Sequence, residues 1–191
     1  MKKYEIKIES NTPIIWNVQK KEVEDEKRKL KNDQYSEYEE NNWQKKAEYK
    51  NNEVLGKEVI IPDRWFKSAL LLAAIRTGLT PHYAKGKKER YTTYLQSCLI
   101  ENGKPVCNIK DLKGKGEFMK AQPNQKKSGK VWRIRPMLEK WETSFLMVDP
   151  FGRMKVDELK ELVEYCGMFI GLGDSRGMNF GRFTIKSVKE A

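Results

Sequence analysis

The residues best equipped for chemistry in this chain lie in one run, Gly171-Leu-Gly-Asp-Ser-Arg-Gly-Met-Asn-Phe-Gly-Arg-Phe183, where glycines at 171, 173, 177 and 181 alternate with Arg176 and Arg182. Glycine lets a ligand approach the backbone closely and reaches positive φ. Successive N–H groups in such a loop form a concave anion site, and a guanidinium adds bidentate recognition of phosphate. Arg176 and Arg182 are therefore the phosphate candidates, and Gly177 and Gly181 the positions of backbone approach. The plain alternative is a helix cap running into a turn. Asp174, inside the run, is expected to shape that turn.

Other chemistries have thinner support. His82 is the one histidine and a general acid or base by type; Tyr83, Lys85 and Lys88 follow it and are suited to assist. No second acid–base residue stands at a diagnostic spacing from it, so His82 is expected to be non-catalytic. Cys98, Cys107 and Cys166 have no CxxC spacing, and with a single histidine they make no zinc signature. Neither paired carboxylates nor a Walker, Rossmann or triad motif occurs. No metal and no cofactor are expected. The cysteine pattern reads as reduced thiols in a cytoplasm. No apolar run reaches membrane-span length and the first residues carry no signal-type apolar stretch, so no membrane partner is expected.

Charge supplies the context. The chain has 191 residues, 38% of them hydrophobic and 34% charged, with a formal net charge of +11. Residues 85–135 hold 14 Lys or Arg against 4 Asp or Glu, whereas residues 20–50 hold 9 against 9. The excess is thus a local footprint, and a basic footprint of this size fits a nucleic-acid partner. Arg133 and Arg135, two apart on an expected strand, share one face. Lys113, Lys115, Lys120, Lys126, Lys127 and Lys130 are expected to form a basic finger over a nucleic-acid backbone, each lysine dispensable alone. Lys67 and Arg76 lie on an expected helix, Lys67 counted among the nucleic-acid candidates.

These residues need elements to hold them. Residues 4–8 alternate apolar and charged side chains, the period of a half-buried strand, and 14–18 resume it. Residues 20–52 are polar, with Tyr35, Tyr38, Trp43 and Tyr49 scattered among mixed charges; they read as a surface insertion, part helix and part loop. Pro62 and Asp63 open a helix that Gly78 ends, with Phe66, Ala69, Leu70 and Ala73 on its buried face. Residues 94–100 read as a strand, Asn102-Gly103 as a tight hairpin turn, 106–109 as the return, and 110–130 as a long basic loop. Residues 131–135 alternate again until Pro136, 141–148 form another strand with Trp141 inward, and 155–170 carry the clearest helical period. Residues 180–188 close as a strand. This order is α+β, the βαββαβ pattern of a ferredoxin-like (RRM-like) core. It spans residues 1–191 as one domain, with a polar insertion at about 20–52 and a basic loop or hairpin insertion at about 80–130.

Two segments carry a family resemblance. Ile61-Pro-Asp-Arg-Trp-Phe-Lys-Ser-Ala-Leu70 resembles the IPGSSLKGALR-like start of the first helix in the RAMP superfamily, the RNA-binding backbone subunits and guide-RNA-processing nucleases of CRISPR systems. Residues 171–183 resemble that superfamily's C-terminal GGxxSRGFGRV-like loop, in the same place after the last helix. Together the two segments cover about a tenth of the chain. Asp63, Arg64 and Trp65 depart from the usual small residues, and Met178-Asn179 lengthens the loop; a phage or mobile-element relative fits as well as a CRISPR subunit. The resemblance implies single-stranded RNA or DNA as ligand, and a homo-oligomer or other subunits of a nucleoprotein assembly as partners. Two alternatives stand beside it. One is a metal-independent endoribonuclease using His82, and the other an assembly protein without nucleic acid.

Overall fold

The computed structural model describes residues 1–31, 34–79, 81–82, 90–101, 104–120 and 130–191. In chain order its elements are β1 (Lys2–Ser10), β2 (Ile14–Ile15), α1 (Lys21–Arg28), α2 (Tyr35–Asn42), β3 (Glu58–Val59), α3 (Asp63–Thr77), α4 (Tyr91–Ser97), β4 (Leu99–Glu101), β5 (Cys107–Asn108), β6 (Lys113–Lys120), β7 (Lys130–Leu138), β8 (Glu142–Asp149), α5 (Val156–Tyr165) and β9 (Phe183–Glu190). Alternation places Tyr4, Ile6 and Ile8 of β1 inward, fully buried, with Lys3, Glu5, Lys7 and Glu9 on the other face. β1 pairs with β8 on one side and β9 on the other, and β4 extends the sheet beyond β8. The order is β4-β8-β1-β9, every neighbouring pair antiparallel.

α3 lies between β1 and β4 in the chain, and α5 between β8 and β9. In each case a third strand separates the two that the helix joins, as in a split βαβ unit. The α+β expectation holds. α3 buries Phe66, Ala69, Leu70 and Ala73, the face expected of it, together with Ala74. Phe66 stacks on Phe145 of β8 with ring centroids 4.3 Å apart and planes at 4°. α5 buries Leu159, Leu162 and Val163, and continues into a π-turn, Cys166–Ile170. These helices and the inward face of the sheet share one apolar core.

A second sheet, β2-β7-β6, stands beside the first. Here the sequence reading needs correction. Residues 113–120 are strand, not loop, paired with β7 from Lys113↔Met137 to Lys120↔Lys130. Pro136 does not end β7: it sits opposite Gly114, its carbonyl accepts the Trp16 N–H at 3.0 Å, and Met137 and Leu138 go on to pair with β2. Residues 91–97 are helix, because Tyr91, Tyr94 and Leu95 recur at helical spacing and all three are buried. β4 pairs with β8, and β5 pairs with β3 rather than with β4. Asn102 and Gly103 lie outside the described residues.

The polar insertion is more than a surface arm. Glu39 and Lys46 are 3% and 4% exposed, and Ala47 and Tyr49 are fully buried. The Lys46 ammonium donates to the Glu39 carboxylate and to the Ile134 carbonyl (2.7 Å), and the Ile134 N–H donates to Glu39 at 3.0 Å. A buried ion pair therefore fastens α2 and the turn after it to β7. Burial pushes the Lys46 ammonium down to about 8. Trp141 is in the core as expected, and Trp132 is half-buried, its ring lying against Gly116 of β6.

Candidate nucleic-acid interface

The glycine run begins where the π-turn ends. The Leu172 N–H donates to the Gly181 carbonyl (2.9 Å), which closes the loop at its base. Further bonds stitch it to residues 11–15. The Gly181 N–H reaches the Pro13 carbonyl (2.7 Å), the Asp174 N–H the Ile15 carbonyl (2.9 Å) and the Arg182 N–H the Thr12 hydroxyl (2.8 Å). The two glycines singled out by sequence divide here. Gly181 has φ +71°, and a Cβ would fall on the Leu172 carbonyl, so its missing side chain serves the packing of the loop and leaves no room for a ligand. Gly177 has no left-handed backbone, and a Cβ there meets nothing within 4 Å. It is the glycine with open space above it.

The Arg182 side chain is held in a poor environment for a cation. Its Nη2 donates over long distances to the Arg176 carbonyl (3.4 Å) and the Asn179 Oδ1 (3.5 Å), while its Nη1 is buried without a hydrogen-bond partner. Burial first, then the charges of Arg76 and Arg176, hold its guanidinium below the usual arginine range. Three arginines thus converge, and among the described residues none of the three is in an ion pair with a carboxylate. An orphaned buried donor costs roughly 1–3 kcal/mol or more when charged. An anionic oxygen beside it would relieve both the missing bond and the repulsion. Arg76 is on the last turn of α3, and helical spacing alone does not reveal it as part of this cluster; its charge bears on Arg182 across the fold.

Arg135, Lys115, Lys113 and Lys67 have other partners. Arg135 is 2% exposed and pairs with Glu117 across the hairpin and with Asp174 in the glycine loop, and it donates to the Ser175 hydroxyl at 2.9 Å. It therefore joins the β6–β7 hairpin to the loop, with no surface left for a phosphate. Lys115 sits 4.0 Å above the Phe180 ring, a cation–π contact between the same two parts. Lys113 pairs with Glu139 at 2.9 Å, and Lys67 donates to the carbonyls of Gln96 (3.1 Å) and Cys98 (2.8 Å), tying α3 to the end of α4. Arg133 is half-buried on the Arg135 face of β7. Lys126 and Lys127 lie outside the described residues, and for Lys120 and Lys130 the backbone alone is described.

His82 is elsewhere. Its Nδ1 lies 3.0 Å from both oxygens of Glu158, and its backbone N–H donates to the same carboxylate at 2.9 Å. Glu158 is at the start of α5, whereas the glycine loop follows its end. Thirteen residues of helical rise place the two about 20 Å apart, too far for the imidazole to act on a phosphate at the loop. Tyr83, Lys85 and Lys88 lie outside the described residues. The open face of the first sheet is also unsuited to binding bases. It presents Lys3, Glu5, Lys7, Glu9, Glu142, Ser144 and Leu146, with no aromatic ring among them on which a base could stack as on RRM sheets.

Among the described residues no group of His, Cys, Asp or Glu is placed to hold a metal ion, and no helix is long and apolar enough to cross a membrane. No family model matches the chain, and no curated protein does. Its fold is similar to that of a chain in the cryo-EM structure of the Type III-B Cmr-beta bound to cognate target RNA, with a TM-score of 0.52 and 10% sequence identity. That similarity covers 99% of this chain and 60% of the other, so this chain spans well under two thirds of its neighbour's length, and at that identity the likeness is one of fold.

Proposed function

We propose that the chain binds the backbone of single-stranded nucleic acid, RNA foremost, at the glycine loop, as a RAMP-like, ferredoxin-like subunit of a CRISPR-type ribonucleoprotein. The observation that carries this reading is the approach of Arg76, Arg176 and Arg182, none of them in an ion pair with a carboxylate among the described residues, with a buried guanidinium N–H of Arg182 left unbonded. Beside them Gly177 keeps the backbone of the loop open to a ligand. The two motif resemblances support the family, and the likeness to a chain from an RNA-bound complex supports RNA and other subunits as partners. Arg135 acts by position, holding the loop against the hairpin.

Equilibrium binding to labelled single-stranded RNA, single-stranded DNA and duplex tests this. Arg176→Ala and Arg182→Ala are each expected to weaken single-strand binding by about 1.5–3 kcal/mol, the range for hydrogen bonds to charged groups. Normal binding by both variants at unchanged melting temperature would reduce the loop to a turn.

A further inference from the structure

Eight large hydrophobic side chains are more than half exposed among the described residues, and four of them, Ile75, Met168, Phe169 and Met178, belong to the last turn of α3, the π-turn and the glycine loop. Single exposed apolar residues are ordinary. Half of them on these three segments is not a scatter. The π-turn explains why they are outside. Cys166, Gly167 and Ile170 turn inward, and Gly167 lies so close to the Phe183 carbonyl that a Cβ would overlap it. Met168 and Phe169 are thereby forced outward. The Phe169 ring is 51% exposed and rests on Tyr165 at 4.9 Å, with Tyr165 itself packed on the core. It is an anchored ring with an open side. Phe169 is two residues before Gly171, and Gly171 packs against the carbonyls of Phe180 and Gly181, immediately before Arg182. α3 packs against the same π-turn, so the exposed ring and the arginine-bearing loop meet at one end of α5.

Resting on the phosphate-binding reading above, we propose that this surface holds the bases of the same strand: a base stacks on Phe169, with Ile75 as its apolar border, while the adjoining phosphate sits on Arg182 and Arg176. The ligand class that follows is a single strand with unpaired bases, since a duplex keeps its bases from the ring. An apolar patch on its own suits a protein partner equally. The charge decides here, because a protein docking on this patch would bury three like charges at its rim, whereas a polyanion neutralises them. Aromatic stacking is tolerant of sequence, as every base has a π-face, so little base preference is expected.

The test uses two probes, an oligoadenylate RNA and a strand of equal length built of abasic ribose-phosphate units, with sizing of each variant alongside. Phe169→Ala is expected to weaken oligoadenylate binding about tenfold, within the range for loss of one stacked base, and to leave the abasic strand unaffected. Phe169→Trp should restore or exceed wild-type binding. Arg182→Ala should weaken both probes. If Phe169→Ala binds both strands like wild type while Arg182→Ala is impaired, stacking is refuted and the phosphate site stands. Equal weakening of both strands by Phe169→Ala would make the ring a support for the loop, again against stacking. A change of assembly size in Phe169→Ala with RNA binding intact would assign the patch to a protein partner. If Arg182→Ala binds normally, the phosphate reading itself fails.

Discussion

Two glycines of one loop do opposite things, and substitution separates them. At Gly177 an added Cβ meets no protein atom within 4 Å, and the backbone is not left-handed. Gly177→Val should therefore leave the melting temperature unchanged and impair only the approach of a ligand, seen as weaker single-strand binding. At Gly181 the same change meets both φ +71° and the Leu172 carbonyl. Gly181→Val should lower the melting temperature strongly, whatever it does to binding. A stable Gly181→Val variant, or a destabilised Gly177→Val, would reverse this assignment. The arginines of the loop were legible in sequence because a glycine-flanked guanidinium is a local signal. Arg135 was not, because its partners Glu117 and Asp174 are 18 and 39 positions away. Sequence gives an arginine's charge, but the fold decides whether a protein carboxylate already neutralises it.

Elements with a regular burial period were readable, and those that depend on a neighbour were not. α3 and α5 fill one face with apolar residues, and β1 alternates. β6 reads as a loop because Gly114 and Gly116 deprive it of side chains, yet those absences are what let the Trp43 and Trp132 rings lie against the strand. The insertion reads as solvated because its ion pair looks like two surface charges until β7 covers it. That cover has a measurable consequence. Lys46→Met leaves Glu39 buried with the half-buried Lys27 ammonium, 3.0 Å away, as its remaining ion-pair partner, and is expected to cost up to about 3–5 kcal/mol, the full range holding where no partner remains. Glu39→Gln combined with Lys46→Met removes both charges and should be less damaging than Lys46→Met alone in urea unfolding. A double variant that is as unstable as the two single losses added together would show that the pair does not act as a unit.

At the scale of the whole molecule, two titrations separate binding from stability. Burial alone would raise the carboxyls of Glu39, Asp149 and Glu158. Hydrogen bonds outweigh it, from Lys46 to Glu39, from Tyr94 and backbone N–H groups to Asp149, and from Tyr91, His82 and Lys155 to Glu158, so all three stay below their ordinary values of 4.5, 3.8 and 4.5. A lowered folded value means that the unfolded chain takes up the proton first. The stability these groups contribute is complete above the ordinary values and is lost as pH falls below them. The melting temperature is expected to be flat down to about pH 5 and to drop beneath it, less steeply in Asp149→Asn. A drop setting in near neutrality would point to other groups. Binding should respond to salt instead, with a log–log slope near −3.5 for about five phosphate contacts on a single strand. A slope near zero would remove the electrostatic basis of the interface. The fold class was legible because alternating strands and two amphipathic helices survive any insertion. The hairpin was legible only in residues 131–135 of β7; β6 was not, because it becomes a strand only through pairing with β7.

The pairing of β1 with β9 also sets a timetable. β1 is an inner strand of its sheet, yet its two neighbours begin at Glu142 and Phe183. At the pace of synthesis, about 5–20 residues per second, a nascent chain carries the β9-facing edge of β1 unpaired for roughly 10–35 s before β9 exists. The segment that anchors the glycine loop, residues 11–15, waits just as long for its partners. The arginine cluster is therefore assembled last, after most of the basic middle has emerged, so a growing chain can meet nucleic acid through diffuse charge well before it has a site with which to hold a strand in register.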